Sequence, residues 1–304
     1  MNVRYYLAKG HPMVAESTLL SELPRFLAYL AHVRGRAPNT VRAYRSDLTQ
    51  AAAVLTAPLA QLTHGTVETW LATAPSAATR QRWRAALAAY CRWAIREDLI
   101  TRDPTALVQV APPDATVPRP IAADHLRALD AAIAGAPQPY RLLLTILRET
   151  GMRAGEAVGL NVGDVVLDVG REGLRVIGTK GNVDRVVVIT PDAMPRTLRA
   201  LRRWQKTAGP MTAPLVVSSR GTRVTYDTLE YHWQKVCTTA GLVDAAGRAR
   251  YTLHQLRHTV ATALIADLPE HLVSRALGHR DPRSTRRYAA VSDDQLRAAL
   301  GRRR

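Results

Sequence analysis

The 304-residue sequence contains only two cysteines, Cys91 and Cys237. That excludes a disulfide framework and fits a reducing compartment. Long apolar runs are also missing, and none approaches the ~18 residues of a membrane span. Residues 1–17 hold no continuous apolar stretch, so no signal peptide is expected and a cytoplasmic location is. There is no internal repeat and no low-complexity tract. Acidic side chains are scarce: 25 Asp and Glu stand against 42 Lys and Arg, a formal net charge of +17. Among the cations lysine is rare, found only at positions 9, 180, 206 and 235.

What is present is an apolar, basic chain. Its hydrophobic content of 47% is too high for a disordered polycation, and its length suits two domains. A protein of this balance is expected to meet a polyanion, with nucleic acid the leading candidate. The first ~105 residues read as four short amphipathic helices. Ser21 is read as the cap of the first, Thr40 as the cap of the second, Thr63 as the start of the third and Ser76 as the start of the fourth. Asp103-Pro104 breaks the last. Residues 108–120 contain four prolines and read as an extended linker. The rest is mixed. Helices are expected near 123–134, 138–150, 191–206, 225–239, 254–265, 269–277, 282–289 and 293–300. Short β-branched runs lie at 165–167, 174–177 and 185–189, the last two joined by a Gly-Thr-Lys-Gly-Asn turn at 178–182. The expected fold class is therefore mainly α: an all-α N-terminal domain at 16–107, a linker at 108–120, and a mostly helical α+β domain at 121–304 with a small antiparallel sheet. Net charge divides as +5 on residues 1–115 and +12 on 116–304, so both halves can face one polyanion.

Five places in the second half carry chemistry. Arg153 stands at a corner between two predicted helices, just after Gly151. Lys180 sits at the hairpin tip, and an ammonium can release a proton near neutral pH where a guanidinium cannot. His254 and Arg257 are three apart on one helix face. His279 follows a predicted helix end, and Tyr288 comes nine residues later. His254 and His258 have the four-residue spacing of helical zinc ligands, but Gln255 occupies the place of a metalloprotease Glu and no third ligand presents itself. No metal and no cofactor is expected. As a set these residues suit attack on a phosphodiester. Two arginines match the charge that builds on the non-bridging oxygens. Histidines move protons near pH 7. A phenol, once deprotonated, is a nucleophile whose phosphate ester can be reversed without ATP.

The order Arg153, Lys180, His254-x-x-Arg257, Leu277-Gly278-His279 and Tyr288 resembles the tyrosine recombinase (phage integrase) family. TGMRAGEAVGL, TLHQLRHTVATAL and LGHRDPRSTRRYAAV correspond to its three signature boxes, and GRAPNTVRAYRSDL resembles the first helices of its N-terminal core-binding domain. Size and layout are most similar to the Xer-type members. The resemblance implies a site-specific DNA recombinase that cuts and rejoins strands through a 3′-phosphotyrosyl intermediate and a Holliday junction. It implies that Arg153 and Arg257 clamp the scissile phosphate, that His279 bonds a non-bridging oxygen, and that Lys180 is general acid toward the 5′ oxygen. His254 would transfer a proton, Tyr288 would be the nucleophile, and Glu156 would support the site. The implied partners are double-stranded DNA and other protomers of a homotetramer or heterotetramer, docked through a C-terminal helix at 292–300. A second recombinase or accessory factor, target sequence and biological outcome are left open by the sequence. Two rival readings remain: a type IB topoisomerase-like relaxase, and a catalytically silent DNA-binding protein that keeps the fold.

Overall fold

The computed structural model describes residues 17–112, 120–177, 184–205 and 209–278. The chain divides into two compact units, Met1–Ala115 and Thr116–Arg304.

In the first unit, α1 (Leu19–Ala28) buries Leu19, Leu23, Phe26 and Leu27, the spacing of one helical stripe. Its cap is Thr18, not Ser21: Thr18 accepts the Ser21 N–H, and Ser21 reaches back to the Thr18 N–H. Ser21 thus belongs to the first turn as the reciprocal half of a capping box. A π-helical turn, Tyr29–Val33, ends that element. The second helix, α2 (Pro38–Val54), begins two residues before Thr40, because Pro38 fills the first position, where no N–H is needed. Thr63 and Ser76 cap α3 (His64–Ala72) and α4 (Ala77–Arg96) as the sequence suggests. Stacked Trp70 and Trp83, 5.1 Å between centroids, join α3 to α4, and Phe26 meets Tyr90 edge-on at 5.2 Å. Asp47, nearly buried on α2, takes the Arg82 fork from α4. Val108 is buried in this core and Val110 packs against it, so the packed chain runs past 107.

In the second unit, α6 (Tyr140–Thr150) is the central element. It buries seven side chains, including Leu143, Leu144 and Ile146, and packs against α5 (Ala123–Gly135), α7 (Ala154–Gly159), α8 (Pro195–Gln205), α9 (Tyr226–Thr239) and α10 (Leu253–Asp267). Its Glu149 accepts the Thr197 N–H at 2.7 Å and the Arg196 Nε–H at 2.9 Å, so a carboxylate of one helix caps the positive end of another. Three antiparallel strands, β1 (Val165–Val166), β2 (Gly173–Val176) and β3 (Arg185–Val188), lie in sequence order. The last described helix, α11 (Glu270–Leu277), packs on α10 and β3. Among the described residues this is an eleven-helix fold with one small antiparallel sheet, and none of those helices is long and apolar enough to cross a membrane. The turn at 178–182 and the predicted helices at 282–289 and 293–300 fall outside the described residues.

Candidate functional site

Two helix ends define the site. At the first, α6 stops at Gly151, whose φ of 64° is left-handed and favours glycine. A Cβ there would lie 2.9 Å from Val260 Cβ on α10, so glycine also lets α10 approach closely. At the second, α11 stops at Gly278 with φ 67°. Helix C-termini carry unsatisfied carbonyls and partial negative charge. Arg257 of α10 supplies the cation for both. Its Nη1 donates to Gly151 O at 2.8 Å and its Nη2 to Leu277 O at 2.7 Å. The side chain is almost wholly buried, at 2% residue exposure. These two bonds fix the plane of the guanidinium.

Arg153 caps α7 two residues beyond Gly151. Glu156, at the third helical position, accepts the Arg153 N–H at 3.0 Å and the Arg153 Nη1–H at 3.0 Å. Arg153 remains 41% exposed. Glu156 also accepts the fork of Arg185 from β3, at 2.9 and 2.8 Å. Burial alone would raise the Glu156 carboxyl. The hydrogen bonds from Arg185 and from the Arg153 backbone, with both guanidinium charges, outweigh it and hold the pKa at about 2.

His254 lies in the first turn of α10, after the cap Thr252, whose N–H donates to Gln255 Oε1 at 2.8 Å. Gln255, noticed in the sequence for not being Glu, is therefore a capping residue. The rings of His254 and His258 stand edge-on, 4.4 Å between centroids. His254 is exposed on one side. Loss of solvent on the other, then the charges of Arg257 and Arg153, push its pKa below the ordinary imidazole value. That leaves it neutral at pH 7 and ready to accept a proton. For His258 burial comes first, then His254 and Arg257, and the value falls to about 4. Among the described residues no group of three or more His, Cys, Asp or Glu is placed to hold a metal.

The structure thus brings Arg153, Glu156, His254 and Arg257 into one neighbourhood, built on α6, α7 and α10. Lys180, His279 and Tyr288 lie outside the described residues; Gly278 ends at the doorstep of His279. Arg185 was not singled out from the sequence, although a signal existed. It shares strand phase with buried Val187, while Val186 and Val188 face out. An arginine on the inward phase of a strand needs a carboxylate partner.

The histidines make a testable statement about acid. Unfolded imidazoles titrate near ~6.5, so below that pH the unfolded chain binds protons that folded His254 and His258 refuse. Their contribution to stability is whole above pH ~6.5 and is lost as pH falls toward 4. Glu156 adds a second, lower window, between its ordinary value and about 2. The melting temperature is expected to fall by about 5 °C between pH ~7 and ~5, with a smaller slope in His258→Gln. Calorimetry across that range checks it, and a flat profile would contradict the burial of the pair.

The phage integrase family matches residues 120–295, and the phage integrase N-terminal SAM-like domain matches residues 23–98. The chain is 32% identical over 296 residues to tyrosine recombinase XerC of Rhodospirillum centenum, spanning 90% of this chain and 84% of that one. It is 36% identical over 296 residues to XerC of Mycobacterium tuberculosis, spanning 91% and 96%. Among solved structures, it is similar to a lambda integrase dimer bound to a COC′ core site. That match has a TM-score of 0.71 and 24% identity, covering 88% of this chain and 96% of that one. It is also similar to XerH bound to palindromic difH in a post-cleavage complex. Here the TM-score is 0.68 and the identity 20%, covering 92% and 83%. Matched by the family over residues 120–295 and 32–36% identical to XerC relatives across nine-tenths of its length, the chain belongs to the phage integrase family of tyrosine recombinases, enzymes that break and rejoin DNA.

Proposed function

We propose that this chain is a site-specific recombinase in which Tyr288 attacks a DNA phosphodiester held by Arg153 and Arg257. The observation that carries it is the placement of both arginines around His254, one pinned by backbone carbonyls and one by Glu156. The Tyr288 phenol loses its proton to His254, and its oxygen bonds to phosphorus. The P–O5′ bond breaks, and Lys180 gives its proton to the departing 5′ oxygen. The products are a 3′-phosphotyrosine and a free 5′ hydroxyl. Attack by a 5′ hydroxyl of another duplex reverses the step and completes strand exchange, so neither hydrolysis nor ATP enters the balance. His279 adds a neutral hydrogen bond to the phosphate. Fixed guanidinium charge does the work a metal ion would otherwise do. Four protomers on two duplexes, docked through 292–300 and acting in the cytoplasm, complete the proposal.

The test is covalent capture. The protein is incubated with fragmented genomic DNA and denatured, and the attached fragments are sequenced while the modified peptide is mapped. The expected result is attachment at Tyr288 through a 3′ phosphate, at sites sharing a sequence. No attachment, or attachment through another side chain, overturns the proposal. Attachment with plasmid relaxation but no strand exchange would instead favour a topoisomerase-like relaxase.

A further inference from the structure

Arg185 opens β3, and no step above uses it. Its fork closes on Glu156, Nη1 to Oε1 at 2.9 Å and Nη2 to Oε2 at 2.8 Å, with the two side chains 14% and 13% exposed. Behind it the guanidinium abuts Gly278. A Cβ built there would lie 2.6 Å from Arg185 Cζ and 2.7 Å from its Cδ, so only glycine leaves the space. Arg185 is therefore wedged between the turn that ends α11 and the carboxylate that anchors Arg153.

The charge count gives this a consequence. Glu156 and Arg153 alone would make a neutral pair, and the Arg153 fork would be drawn onto both carboxylate oxygens. With Arg185 already on both oxygens, Arg153 is held through one side-chain bond and stays partly exposed. The three residues together carry one net positive charge. A transition state that gathers negative charge is stabilised by a fixed excess of cation, and a compensated pair supplies none. We infer that Arg185 is a positioning residue, occupying Glu156 so that Arg153 meets DNA with its charge uncompensated. The inference rests on the assignment of Arg153 to the scissile phosphate.

The experiment uses the duplex recovered by covalent capture, in two forms. One has the native scissile phosphate. In the other a methyl group replaces one non-bridging oxygen, which removes the charge. Arg185→Gln should form adduct about 30-fold more slowly on the native duplex, and Arg185→Lys, which keeps a charge but loses the fork, about tenfold more slowly. Duplex affinity should stay within about threefold, since the defect is in the transition state. On the methylphosphonate the Arg185→Gln deficit should shrink to about threefold or less, because a neutral phosphorus centre asks for less cation. A deficit equal on both substrates makes Arg185 a structural pin only and overturns the inference, as does an unchanged rate on the native duplex. If Arg185→Gln loses its melting transition, Arg185→Lys carries the same comparison. A wild-type protein that makes no adduct at all sinks the recombinase proposal itself, a distinct result.

Discussion

Tyr288→Phe is expected to abolish covalent attachment to DNA, by more than about 10⁴-fold, while duplex affinity stays within about twofold. The substitution removes one oxygen. In the proposed mechanism that oxygen is the nucleophile, and a phenyl ring has no group that can take its place. Affinity, in contrast, comes mainly from cations along the phosphate backbone, spread over a chain with 42 Lys and Arg, and a phenol contributes little to that sum. Gel shift and denaturing adduct assays on one preparation separate the two quantities. Adducts that persist in the variant would remove Tyr288 from the mechanism. Binding that collapses with them would mean the residue supports the fold instead.

The second large effect concerns Arg257, where stability and chemistry fall together. Arg257→Ala leaves the carbonyls of Gly151 and Leu277 without their donor in a site 2% exposed. Two unsatisfied buried acceptors cost about 3 kcal/mol or more, which lowers the melting temperature by about 6–12 °C. The loss of a preorganised cation should slow adduct formation by about 10³-fold even at temperatures where the variant is folded. Arg257→Lys keeps a charge and can reach one carbonyl but not both, so it should melt between the two and remain at least about tenfold slow. Normal melting in Arg257→Ala would deny the structural half of the account. Normal cleavage by the folded variant would deny the catalytic half.

These expectations show how far the residues speak for themselves. The starts at Thr63 and Ser76 and the corner at Arg153 were legible, because each is a local event within a turn of sequence. So was the helix that pairs His254 with Arg257. Ser21 was misread because it lies three residues from the true cap and can serve either role. Thr40 was misread because Pro38 starts a helix without a side-chain cap. The partners of Arg257 were beyond reach: Gly151 O lies 106 residues away and Leu277 O 20, and a carbonyl has no sequence signature. Arg185 is a different case: the strand pattern predicts its strand, but the carboxylate that its inward-facing side chain meets, Glu156, stands 29 residues earlier in the chain.

The meeting of two helix ends on one guanidinium also sets an order of assembly. Arg257 takes its orientation from Leu277 as much as from Gly151. During synthesis that orientation therefore cannot be fixed until the chain has been made through α11. A fragment ending earlier can contain Arg153, His254 and Arg257 and still leave the Arg257 guanidinium with only one of its two carbonyl acceptors. The order in which the chain is made is thus also the order in which that guanidinium gains its two acceptors, Gly151 first and Leu277 second.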